Sequence, residues 1–250
     1  MHVEIDTERR ILTANGEALA LYSDKAFEVL SQLWVQVGWN QRYPYTFSWM
    51  GVPVIQLPED LLRYQEVIAR VQPDVIIETG IAHGGSAIFA ASLCKALGKG
   101  RVIAVDIDIR AHNRERIEQH ALFPYITLIE GSSVAPEVVA QVKALINSGE
   151  SVLVVLDSDH SYAHVSAELA AYAPLVTHGS YIVATDGVMQ DLTDVPRGRT
   201  EWAQDNPAQA ARDFAANHPE FVIEEPSWPF NQSTLNRNIT HWPDAWLRKI

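Results

Sequence analysis

Cysteine is almost absent from this chain. Cys94 is the only one in 250 residues, so no disulfide framework can form within it. A buried small hydrophobe is the role expected of that single thiol. Long apolar runs are missing too, since none approaches the ~20 residues of a membrane span. The opening Met1-His2-Val3-Glu4-Ile5-Asp6 is charged and lacks the apolar core of a signal peptide. Positive charge is scarce: 19 Lys and Arg stand against 31 Asp and Glu, a net −12. That balance argues against nucleic acid or an anionic membrane as partner. There is no internal repeat, no low-complexity tract and no linker. The expectation is one cytoplasmic domain with an N-terminal appendage, and its 47% hydrophobic content is enough for a sizeable core.

What is present is organised around Val75-Ile76-Ile77-Glu78-Thr79-Gly80-Ile81-Ala82-His83-Gly84-Gly85-Ser86. Val75 to Ile77 read as a strand covered on both faces. Gly80, Gly84 and Gly85 permit a tight turn and close approach to a ligand. Ser86 is placed to cap an apolar helix over Ala87 to Ala96. A helix start behind a glycine loop offers free N–H groups. A second strand, Arg101 to Asp106, ends in an acid suited to a ribose diol. The dehydrogenase spacing G-x-G-x-x-G is absent, because Gly80 to Gly84 is G-x-x-x-G. A ligand without a pyrophosphate at the turn fits better, and S-adenosylmethionine (SAM) is one.

In chain order, residues 1–24 read as an irregular or hairpin-like arm, with a turn at Asn15-Gly16. A helix from Lys25 to about Val37 and an aromatic segment, Trp39 to Trp49, follow. The aromatics are expected to wall a substrate pocket, contact another subunit or pack on the core. Pro58-Glu59-Asp60 opens a helix to about Val71. Strands then alternate with helices: 126–130, 136–146, 151–156, 161–175 and 179–184. Five such strands predict a Rossmann-like, doubly wound, mostly parallel α/β sheet. Residues 188–206 are long for a connection and read as a lid or binding loop. A helix over 207–217 and an antiparallel strand pair, 221–225 with 234–240, close the chain. The expected division is an appendage over 1–50 and a main domain over 51–250.

Four strand ends converge on one sheet edge: Glu78, Asp106, Asp157 to His160, and Thr185-Asp186. Asp157 and Asp186 end strands consecutive in sequence. If these are neighbours, the two carboxylates repel unless a cation or proton lies between them. Oxygen ligands suit Mg²⁺ or Ca²⁺, with Asp159 and Asp191 in reserve. His160 is a candidate general base. His160, His164 and Glu168 have i, i+4, i+8 spacing. They lack the Glu of H-E-x-x-H, so zinc is not the expectation.

These segments resemble the cephalosporin-hydroxylase-like (CmcI-type) family of class I SAM-dependent methyltransferases, which includes rhamnosyl O-methyltransferases of natural-product pathways. The resemblance covers roughly residues 45–225. It runs from Trp49-x-Gly51-x-Pro53 with Gln56 and Asp60 through Glu78 to Ser86, Val105 to Asp108 and Gly131-Ser132-Ser133. Leu156 to His160, His164-Val165, Glu168-Leu169, Tyr172 to Val176, Gly179 to Val183 and Asp205-Asn206-Pro207 continue it. It implies SAM against Glu78, Gly80, Ala82, Gly84, Gly85 and Ser86. The ribose would lie near Asp106 and the adenine near Ser132 and Ser133. Mg²⁺ would be held by Asp157 and an acidic pair after the fifth strand, with His160 as base. The chain departs from this pattern where many relatives have Glu-Asp and it has Thr185-Asp186. The alternatives are that Thr185 ligates weakly through its hydroxyl, that Asp191 substitutes, or that the metal is dispensable.

The reaction expected is methyl transfer from SAM to a sugar hydroxyl of a glycosylated small molecule, by a homo-oligomer. A catechol-type phenol acceptor, a SAM-binding accessory subunit without chemistry, and an NAD-dependent dehydrogenase are the rival readings. The missing third glycine weakens the last.

Overall fold

The structure is a computed structural model and describes residues 1–250. The chain opens with three short strands: β1 (Val3–Asp6), β2 (Ile11–Ala14) and β3 (Glu17–Ala20). They form an antiparallel sheet where an irregular arm or hairpin was expected. Asn15 and Gly16 both have positive φ, which suits the tight turn joining β2 to β3. Helix α1 (Asp24–Asn40) follows, capped by the Ser23 side chain on the Ala26 N–H. Strands β4 (Phe47–Trp49) and β5 (Val52–Val54) pair as a hairpin. That hairpin spans the division expected at residue 50.

The remainder is the layered α/β body. Its elements in order are α2 (Pro58–Val71), β6 (Val75–Thr79), α3 (Gly85–Leu97), β7 (Arg101–Asp106), α4 (Ala111–Glu118) and β8 (Ile126–Glu130). Then come α5 (Pro136–Ala144), β9 (Val152–Leu156), α6 (Tyr162–Tyr172), β10 (Tyr181–Ala184), α7 (Pro207–Asn217), β11 (Phe221–Ile223) and β12 (Trp246–Lys249). The seven strands lie in the order β11-β12-β10-β9-β6-β7-β8. β10, β9, β6, β7 and β8 are parallel, while β12 runs antiparallel to both β10 and β11.

Alternation along the strands builds the core. Ile76, Val102, Ala104, Leu153, Val155 and Val183 face the layer containing α2 and α3. Val75, Ile77, Ile103, Val105, Val154 and Ile182 face the layer of α5, α6 and α7. Every residue of β6 and β9 is buried, as strands covered on both sides require. Cys94 is buried in α3 and its thiol is pushed up to about 11 by burial, so it is an inert packing group.

One expectation is corrected. The partner of β11 is Trp246–Lys249, not 234–240. Trp246 and Leu247 are buried, and their strand places them between β10 and β11. The polar stretch Thr234-Leu235-Asn236-Arg237-Asn238 has few side chains to bury there. The 188–206 segment, expected as a lid or binding loop, is packed down in this structure. Leu192 is buried with Val35 and Val188, Trp202 packs edge-on against Trp39 at 5.4 Å, and Gln36 Nε2 donates to the Asp191 carbonyl at 2.9 Å. This segment is seated on α1.

Candidate active site

The chain turns from one side of the sheet to the other between β6 and β9. β6, β7 and β8 run outward one way, and β9 and β10 the other. Ligands of open α/β sheets bind outside the strand ends at such a switch point. A cleft of about 200 Å³ opens here, bordered by Tyr45, Gln56, Gly80, His83, Asp157 and His160, among others.

The glycines of the β6–α3 loop answer to chain packing. Gly80 has φ +80°, and a Cβ there would collide with the Asp157 carbonyl of the adjoining strand end. A Cβ on Gly85 would strike the Pro53 carbonyl. Both also border the cleft, so chain packing and the expected approach of a ligand share these positions. Gly84 is the N-cap of α3, and Ser86 lies within the first turn rather than capping it. The Ser86 hydroxyl donates to Glu78 Oε1. Glu78 is buried, its other oxygen has no partner, and burial pushes its carboxyl up to about 7.

Asp106 holds the same loop. Its Oδ2 accepts from the N–H groups of Ile81 (2.9 Å) and Ala82 (3.2 Å), and its Oδ1 from Asp108 N–H at 3.1 Å. Ala82 has φ +44°, unusual for a residue with a side chain. Asn113 steadies it by donating from Nδ2 to the Ala82 carbonyl at 2.9 Å. Ser132 and Ser133 follow the end of β8. Ser133 is buried and its hydroxyl lies 3.2 Å from His164 Nε2.

Asp157, His160 and Asp186 come together on the other side of the loop. One ligand atom from each lies within 4.8 Å of the other two. β9 and β10 are parallel neighbours, with Leu156 beside Ala184, so Asp157 and Asp186 follow adjacent strand ends. The carboxylate of Asp157 accepts from Gln56 Nε2 at 2.8 Å and from the Thr185 hydroxyl at 2.6 Å. Burial, then the charge of Asp186, push its carboxyl well above the usual range, against the pull of His160 and Thr185. His160 Nε2 lies 3.5 Å from Asp186 Oδ2. Two acids and an imidazole converging this tightly fit a divalent cation with oxygen and nitrogen ligands.

Three candidate ligands have other partners here, and the zinc arrangement already set aside does not form. Thr185 is fully buried and its hydroxyl faces the Leu156 carbonyl and Asp157 Oδ1, so it supports a carboxylate instead of ligating. Asp191 borders a different groove, along α1. Asp159 accepts from Ser161 N–H at 2.8 Å as a local cap and is outside the cluster. His160 precedes α6, so the helical His160–His164–Glu168 face does not form; His164 instead lies 3.4 Å from buried Glu168. Of the aromatic segment, Tyr45 borders the cleft. Tyr43 packs on Trp34 and Phe47, and Trp49 on Phe89. Gln56 was marked only by the family resemblance, without a role, and Asn113 had no sequence signal. Gln56 meets its partner across 101 residues.

This sheet order, with its loop and strand-end acids, has the fold of class I methyltransferases. A CmcI structure described as Mg-SAM superposes with a TM-score of 0.54, covering 82% of this chain and 77% of that one at 16% identity. An apo structure of CmcI gives 0.53 over the same shares at 17% identity. The family profile Rhamnosyl O-methyltransferase/CmcI matches residues 41–250, and the chain belongs to that family. A rhamnosyl O-methyltransferase of Mycobacterium leprae (strain TN) is 34% identical over 161 residues, 64% of this chain and 66% of the relative. The one of Mycobacterium tuberculosis (strain H37Rv) is 34% identical over 142 residues, 56% of each chain. The chain therefore spans just over half to just under two thirds of these curated relatives.

Proposed function

We propose that this chain is an O-methyltransferase that moves the methyl group of SAM to a sugar hydroxyl, a deoxysugar such as rhamnose on a glycosylated small molecule. The observation that carries the reading is the Asp157–His160–Asp186 cluster beside the Gly80–Ser86 loop at the sheet's switch point. Membership of the rhamnosyl O-methyltransferase/CmcI family supports the choice of acceptor.

The chain's groups divide the work. The β6–α3 loop, preset by Asp106 and Asn113, receives the cofactor. Glu78, with one carboxylate oxygen unpartnered, suits a cationic ligand. Asp106 can accept from a ribose while it holds the loop, because a carboxylate offers about four lone-pair sites. Ser132 and Ser133, after the end of β8, would border the adenine as the family resemblance implies. Asp157 and Asp186 would hold Mg²⁺, with Gln56 and Thr185 fixing the first of them. A divalent cation held there would supply Lewis acidity that lowers the pKa of the acceptor hydroxyl, as it does that of water. When bound, SAM supplies an electrophilic methyl. The hydroxyl oxygen bonds to that carbon while the C–S electron pair passes to sulfur. His160 takes the hydroxyl proton, and Asp186 at 3.5 Å orients its ring. Tyr45, exposed at the cleft, offers an aromatic face to the acceptor.

The test is a screen of rhamnosides against catechols with SAM, each with Mg²⁺ and with EDTA. Methylation of a rhamnoside that EDTA suppresses supports the reading. Methylation of catechols alone moves the acceptor to the phenol class, and activity indifferent to EDTA removes the cation.

A further inference from the structure

Helix α6 carries polar side chains into a layer of the core that is otherwise apolar. His164, Glu168 and Tyr172 stand at i, i+4 and i+8, on one face of it. Glu168 and Tyr172 are fully buried, beside the core residues Val165 and Leu169. A buried carboxylate is costly, and an apolar side chain of similar volume would pack there at less cost. What the acid adds is a fixed direction for the groups that donate to it.

Glu168 Oε1 accepts from the Ser158 hydroxyl at 2.8 Å and lies 3.4 Å from His164 Nε2. Its Oε2 has no partner. A carboxylate accepts and does not donate, so His164 Nε2 carries a hydrogen. The same nitrogen lies 3.2 Å from Ser133 Oγ, and the Tyr172 hydroxyl donates to the Ser133 carbonyl at 2.8 Å. Ser133 is thus held at two atoms from one helix face. Ser158 borders the cleft, and its Cα and the Asp157 carbonyl back Gly80 so closely that no Cβ fits there. Ser133 follows β8 and Ser158 follows β9, while β6 and β7 lie between those two strands. The polar face of α6 therefore bridges the loops on both flanks of the glycine loop.

We infer that His164, Glu168 and Tyr172 form a buried polar ladder that positions Ser133 and Ser158 together, and so sets the spacing of the two loops between which the cofactor is received. The inference rests on the reading of this sheet edge as a SAM site. All three are positioning residues. None borders the cleft; each acts through a serine.

The test is calorimetric titration of the full chain with S-adenosylhomocysteine, paired with thermal unfolding. Glu168→Met keeps the volume and removes the acceptor. It strands neither donor, because the His164 side chain is 24% exposed and Ser158 reaches the cleft. Affinity for S-adenosylhomocysteine should fall about 10-fold, while Tm stays level or rises. Glu168→Gln keeps Oε1 as an acceptor and should recover most of the affinity. Unchanged affinity in Glu168→Met overturns the ladder, and so does an equal loss in Glu168→Gln. A fall in Tm alongside the fall in affinity also overturns it, because that marks general loosening. If the unaltered chain binds no S-adenosylhomocysteine, the SAM reading itself fails and the ladder with it, an outcome distinct from a variant that binds normally.

Discussion

In the proposed reaction the proton passes to His160. This residue comes 3.5 Å from Asp186 and borders the cleft, yet no hydrogen bond ties it to the cofactor loop. Replacing it with Ala should reduce turnover by about 10²–10⁴ and leave binding of S-adenosylhomocysteine intact. Loss of that binding in calorimetry would count against the base assignment. Two other carboxyls make opposite pH predictions. Arg101, bidentate on Glu150 at 2.6 and 2.8 Å, and the Asn147 N–H hold Glu150 down at about 2. The folded pKa lies below the ordinary value of 4.5, so this stability is present above pH 4.5 and is lost as pH falls through about 2. Glu150→Gln should lower Tm at pH 7 and make no difference near pH 2. Burial raises Asp60 from 3.8 to about 8. Its contribution is complete below pH 3.8 and is lost as pH rises through about 8. Asp60→Asn should therefore flatten the fall in Tm between pH 5 and pH 9, and a curve parallel to that of the unaltered chain would refute it. Asp157, His160 and Asp186 were legible as site candidates because each follows a strand that ends at one edge. The contact of Asp60 with His241 was not legible: they meet across 181 residues, and an acid in the first turn of a helix reads as a dipole partner.

At the scale of elements, apolar runs bounded by glycine and acid marked β6, β7, β9 and β10. β12 stayed hidden, because Trp246-Leu247-Arg248-Lys249 is short, half charged, and set in place by β10 and β11. The segment 188–206 looked like a lid because it is long and polar. Its few apolar members pack it down in this structure, since Leu192 and Trp202 find partners on α1 that lie far back in the sequence. α1 lies wholly outside the family match, which begins at residue 41, yet it seats the loop that follows Asp186. Trp39→Ala should loosen that seat. Limited proteolysis within 192–206 should accelerate, and affinity for the acceptor should fall while affinity for S-adenosylhomocysteine holds. Cleavage at the original rate would mean that α1 does not hold the segment.

At the scale of the whole molecule, the doubly wound sheet was legible from the alternation of strands and helices, because buried parallel strands carry a continuous apolar pattern. The N-terminal sheet was legible only as a hairpin-like arm, since its strands have four residues each and half of those residues are exposed. No helix is long and apolar enough to cross a membrane. Tyr22, Trp34 and Val37 are exposed apolar side chains on or beside α1. An assembly of copies through this face should dissociate on Trp34→Glu, as read by light scattering; a mass unchanged from the unaltered chain would place any contact elsewhere. The central claim is that a sugar hydroxyl takes the methyl of SAM at the Asp157–His160–Asp186 cluster. Its most direct test is transfer from methyl-labelled SAM to a rhamnoside, comparing the unaltered chain with His160→Ala. The account predicts a labelled O-methyl rhamnoside from the first and almost none from the second. Equal labelling by both, or label on no sugar at all, would contradict it.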